Sequence, residues 1–139
     1  MANWTGKART NYVVANHVAA LEKIASKHEL GVIRDSEGRI GFFAKTENGD
    51  WPSTYYDEEV GVHAEFRIEA VLMPHIKEGE VLVVVEAGSE NDRYVTGRAD
   101  AFIRNGNVCR SVSLSLGDIR KIAAEAFSVS PDSIRDASY

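Results

Sequence analysis

The stretch that decides the fold is Val81-Leu82-Val83-Val84-Val85, then Arg93-Tyr94-Val95-Thr96-Gly97-Arg98-Ala99-Asp100-Ala101-Phe102-Ile103-Arg104, the turn Asn105-Gly106-Asn107, and Val108 to Leu114. Five successive apolar residues without alternation predict a strand covered on both faces. From Arg93 onward the pattern alternates. Val95, Gly97, Ala99, Ala101 and Ile103 fall on one side, and Tyr94, Thr96, Arg98 and Asp100 on the other, which predicts a strand with one polar face. Asn-Gly is the strongest hairpin dipeptide, so Val108, Arg110, Val112 and Leu114 return as the last strand, with Ser111, Ser113 and Ser115 on its polar face.

Upstream, Arg9 to Ala15 reads as a strand rich in Tyr and Val. Asn16 is a natural N-cap. Val18, Leu21, Ile24 and Ala25 recur at helical spacing, predicting a helix over 17–28. Leu30–Arg34 and Arg39–Ala44 form a hairpin across Asp35-Ser36-Glu37-Gly38. Lys45 to about His63 reads as a long polar loop broken by Asn48-Gly49 and Trp51-Pro52. Phe66, Ile68, Val71, Leu72 and Ile76 predict a second helix over 64–77, with Pro74 forcing a kink or early end near Met73. Downstream, Ser115-Leu116-Gly117-Asp118 has the form of a capping box. Leu116, Ile119, Ile122, Ala123, Ala126 and Phe127 then make a helical stripe. The order predicts one α+β domain over 1–139: a mainly antiparallel sheet with helices on one face, a ferredoxin-like βαββαβ core plus a hairpin and a C-terminal helix.

Composition narrows the function classes. The 139 residues carry 16 Lys and Arg against 21 Asp and Glu, for a net charge of −5. With 44% hydrophobic residues the chain is not disordered. One cysteine makes neither an internal disulfide nor a cysteine-based zinc site. No apolar run approaches the roughly 18 residues of a membrane helix, and Met1 to Lys7 lacks the apolar stretch of a secretory signal. The expectation is a cytoplasmic protein without a membrane segment.

The segments Arg9-Thr10-Asn11-Tyr12-Val13, Gly79-Glu80-Val81 through Glu86-Ala87-Gly88, Arg93-Tyr94-Val95-Thr96-Gly97 and Val112 through Ile119 resemble a group of small α+β proteins encoded on phages and mobile elements. The resemblance covers most of the chain except the loop between Glu47 and Glu65. It implies an accessory role on a mobile genome and supplies no catalytic residues.

The chemistry-bearing residues point the same way. His17, His28, His63 and His75 show no H-E-x-x-H spacing, although His63 and His75 with Glu65 between them could assemble in space. Cys109 beside Arg110 reads as a small buried strand residue. No glycine pattern cradles a phosphate before a helix, and no cofactor is expected. Ile122 to Arg135 has the outline of a helix-turn-helix. Its second helix would carry only Arg135 as a cation, with Asp132 and Asp136 repelling phosphate, so nucleic acid is a poor fit. Arg9, Tyr12, Tyr94 and Arg98 are a candidate anion site, since arginines beside tyrosines can hold an anionic ligand.

The acidic segment is the stronger lead. Residues 45–69 hold seven acids and two bases, so they sum to −5 and the other 114 residues are neutral. Trp51, Tyr55 and Tyr56 sit among Asp57, Glu58 and Glu59. Rings supply contact area and charges steer a basic partner. The expectation is therefore a non-enzymatic protein that binds a host protein with a basic surface, of anti-CRISPR or anti-restriction type, with homo-oligomerisation open. The alternatives are a DNA-binding regulator and a small anion-binding domain or enzyme. The competing structural reading is that the aromatics fold back over the sheet while the acids face solvent.

Overall fold

The computed structural model describes residues 4–90 and 94–135. Arg93, the expected first residue of the long alternating strand, and Asp136 lie outside the described residues.

The protein is α+β. Its elements are β1 (Trp4–Thr10), α1 (Val18–Lys27), β2 (Leu30–Arg34), β3 (Ile40–Ala44), β4 (Thr54–Asp57), β5 (Val62–Glu65), α2 (Ile68–Val71), β6 (Val81–Glu90), β7 (Tyr94–Asn105), β8 (Val108–Ser115) and α3 (Ile119–Phe127). Six strands form an antiparallel sheet in the order β2-β3-β1-β6-β7-β8, and β4-β5 form a separate hairpin.

Three local expectations shift. The first strand begins at Trp4, and Val13 and Ala15 make only isolated bridges. His17, not Asn16, occupies the N-cap of α1. The second helix is cut to the single turn of α2 and a 3-10 turn, Met73–His75. Pro74 has no N–H for a helical bond, so the turn tightens instead of extending. Arg104 of β7 caps that turn, donating to the Met73 and Ile76 carbonyls at 3.2 and 3.0 Å. Further on, Asp118 accepts from the Ser115 N–H at 2.7 Å, as the capping-box pattern requires.

α1 and the α2 turn lie over one side of the sheet, here the inner face. Leu21, Ile40, Phe42, Leu72, Met73, Ile76 and Leu82 are fully buried there. Each such side chain contributes about 1.5–3 kcal/mol by leaving water. Two polar side chains hold strand ends, Thr10 buried and Asn11 exposed. Thr10 Oγ1 accepts from the Phe42 N–H and donates to the Asn11 carbonyl, at 2.9 and 2.8 Å. Asn11 then bonds the β6 backbone from its side chain, giving to Val81 O and accepting from Val83 N.

The register overturns the reading of β6 as covered on both faces and decides which way the polar face of β7 points. Val84 pairs with Asp100, and Glu86 with Arg98. The polar face of β7 therefore points inward, beside Ser113 and Ser115 of β8. The apolar face, Ala99, Ala101 and Ile103 with Val112 and Leu114, points outward. The β6 run is consequently covered on one face only: Val81 and Val85 are 43% and 44% exposed. A sheet's two faces are equivalent until something packs on one, and the layer laid down by α1 and α2 chose the face that holds Leu82 and Val84. The expectation that all helices share one face also needs qualifying. α3 packs mainly against the 3-10 turns at its two ends and buries only Ala124.

Candidate functional site

The segment expected to be a loop is an ordered strap ending in a hairpin. Asn48-Gly49 docks it onto β1, where the Gly6 N–H donates to Asn48 O at 2.9 Å. The Trp51 N–H donates to Glu86 Oε2 of β6 at 2.6 Å. The Phe66 N–H bonds Ser53 O at 2.8 Å and closes the base of the hairpin. Period-2 alternation then splits its side chains. Tyr55 turns inward against His28, ring centroids 4.5 Å apart and edge-on. Tyr56 turns outward, 52% exposed, with its ring 5.3 Å from that of His63.

The six residues proposed to bind a partner thus divide. Trp51 and Tyr55 pack against the core, Trp51 near Phe66 and Tyr55 under Lys27. Tyr56, Glu58 and Glu59 are exposed at the hairpin, and Asp57 is half-buried, accepting from the Glu59 N–H at 3.0 Å.

Between this strap and the inner face of β6-β7 lies a cleft of about 490 Å³. Its walls carry five carboxylates, Asp50, Glu65, Glu69, Glu86 and Asp100, against two guanidinium groups, Arg67 and Arg98. Arg98 is already engaged, since its Nε and a terminal nitrogen both donate to Asp100 Oδ2, at 3.0 and 2.7 Å. Ser113 also donates to Asp100, so this buried carboxylate is satisfied by two neighbours. Arg67 lies 4.0 Å from Glu69. The Trp51 indole N–H is buried without a hydrogen-bond partner among the described residues. Sequence reasoning found Asp50, Glu65 and Glu69 as part of an acidic segment. It missed Glu86 and Asp100, because only strand register reveals that they face the same space.

The candidate anion site does not assemble. Arg9 pairs with Val85, one residue out of phase with the Glu86–Arg98 pair, so Arg9 and Arg98 point to opposite sides of the sheet. Arg9 instead lies over the Tyr12 ring at 5.8 Å. The helix-turn-helix outline also fails: after α3, Pro131–Ser133 is one 3-10 turn, too short to lie in a groove as a recognition helix. Among the described residues no group of three or more His, Cys, Asp or Glu could hold a metal ion, and no helix is long and apolar enough to cross a membrane. Burial, with Glu69 adding to it, pushes the Cys109 thiol up, against the direction a nucleophilic cysteine needs.

Two histidines support the strap and the neighbouring turn. Burial holds His28 below the ordinary 6.5, and Lys27 adds to it. Burial likewise lowers His75, with His17 next to it. Both are neutral in the folded state at neutral pH. Below pH 6.5 the unfolded chain takes up protons that the folded chain resists, so stability falls with pH from about 6.5 downward. A melting temperature that declines between pH 7.5 and 5.5, above the range of ordinary carboxylates, is the expected result. A flat profile there would refute the link. Replacing His28 with Gln should shallow the decline.

Comparison with protein-family models, with curated proteins and with solved structures found no match.

Proposed function

We propose that this protein is a non-enzymatic binding module that engages a basic surface on another protein through the acidic side formed by the strap, the hairpin and the cleft. The observation that supports it best is the convergence of carboxylates from three separate chain segments on one cleft, where they outnumber arginines five to two. A Lys or Arg side chain entering it would lay its apolar stem along Trp51 and Phe66 and its charge among the acids. Tyr56 with Glu58 and Glu59 supplies an exposed ring and charge on the hairpin, the arrangement that steers association and fixes orientation. The resemblance to mobile-element proteins adds a setting. The partner would be a host defence component whose nucleic-acid-binding surface is occluded, as in anti-CRISPR or anti-restriction action.

The test is affinity capture from host lysate with mass spectrometry, comparing the native chain with Glu58→Lys/Glu59→Lys and with Glu65→Gln/Glu69→Gln. Each double variant should weaken capture of a basic protein at least about tenfold, the equivalent of about 1.4 kcal/mol, and capture should fall as salt rises. An identical set of captured proteins for all three chains would refute the reading.

A further inference from the structure

The outer face of the sheet and the stripe of α3 are two apolar surfaces that, among the described residues, only Leu116 begins to cover. On the sheet, Val85, Val112 and Leu114 border a trough floored by the small residues Gly97, Ala99 and Ala101. Hollows of about 350 and 400 Å³ run along it. On α3, Ile119, Ile122 and Phe127 face solvent. Val112 is 72% exposed and Phe127 74%. A sheet with an apolar face needs a second layer, and an amphipathic helix needs a surface for its stripe. The chain does not join its own two halves. Leu116 seats on one end of its own trough, where a Cβ added at Gly97 would meet Leu116 Cδ1 at 2.9 Å. α3 departs from there and packs mainly against its flanking turns.

The exposed area gives a second argument. A folded chain of this mass exposes about 7,100 Å². This one exposes 9430 Å² at 15.3 kDa. Part of that excess belongs to the ten residues outside the description; the whole of it exceeds the roughly 800 Å² each partner contributes to a standard stable interface.

We infer that the protein is a two-fold homodimer in which α3 of each copy lies in the outer-face trough of the other. Two unlike surfaces on one chain, each complementary to the other, close under a two-fold axis by reciprocal exchange. The exchange supplies the second cover that the Val81–Val85 run predicts and that a single chain lacks. The acidic cleft lies on the opposite face of the sheet, so this inference is independent of the binding function proposed above.

Sedimentation equilibrium of the full chain at micromolar concentration should give twice 15.3 kDa. Val112→Asp and Phe127→Asp, both at positions a lone chain leaves exposed, should each give the single-chain mass with an unchanged circular dichroism spectrum. A native chain that sediments as a monomer overturns the inference. So does a Phe127→Asp protein that stays dimeric, because the helix is then not the occupant, or a Val112→Asp protein that does, because the trough is then not the seat. If a variant fails to fold, the native chain still decides: its melting temperature should fall on tenfold dilution, and a constant value overturns the dimer.

Discussion

Trp51→Ala is expected to lower folding stability by about 3 kcal/mol, while Tyr56→Ala changes it by less than about 0.5 kcal/mol. The two rings stand in the same acidic segment, yet the structure assigns them opposite work. Trp51 packs against the core beside Phe66, and its backbone N–H ties the strap to Glu86. Removing the indole leaves a void under the strap and exposes part of Phe66. Tyr56 touches His63 on the solvent side and holds nothing in place. Chemical denaturation measures both. A loss below about 1 kcal/mol for Trp51→Ala would mean that the strap does not rest on this ring. The pair also sorts binding data: a loss of partner on Tyr56→Ala reports contact, whereas a loss on Trp51→Ala reports the fold of the surface.

The second large effect concerns a glycine. Gly49→Ala should cost more than about 3 kcal/mol, against about 1 kcal/mol for Gly38→Ala. Both glycines have positive φ, +82° and +79°, so both substitutions carry the left-handed penalty of an L side chain. They differ in what surrounds them. At Gly38 an added Cβ meets nothing within 4 Å, whereas at Gly49 it would lie 1.8 Å from the Gly6 carbonyl oxygen. That contact is backbone against backbone, in the seam where the Gly6 N–H bonds Asn48 O. No side chain can swing away, so the strap must lift from β1. Equal melting temperatures for the two variants would show that the seam is not needed.

Much of the fold was legible in the sequence. The helix from Val18, the hairpin from Leu30 to Ala44, the early end of the second helix at Pro74 and the β7-β8 hairpin all follow from local periodicity and turn chemistry, which act within a few residues. The segment after Lys45 was misread as loop because β4 and β5 are four residues each. Thr54 to Asp57 and Val62 to Glu65 offer too few positions for alternation to stand out, and their order comes from docking on His28 and Phe66. Part of the candidate site was visible as a local excess of acid. Its completion by Glu86 and Asp100 was not, because those residues reach it through cross-strand pairing with partners far away in the chain.

What the sequence determined by itself is the class of architecture and the place of the charge. An alternating strand, an Asn-Gly turn and a run of β-branched residues are statements about neighbours along the chain, and neighbours along the chain decide secondary structure. Which face of β7 meets the core is a different kind of fact. Its twelve residues fall six to a face, one mainly small or apolar and the other mainly polar, and periodicity alone assigns the apolar one to the interior. The tertiary structure turned that face outward, because the layer of α1 and α2 is anchored over Leu82 and Val84 and the register of β6 with β7 carries Asp100 and Arg98 to the same side. Pairing with β6 leaves β7 no freedom to rotate, so one register sets both the acidic cleft inside and the bare apolar trough outside.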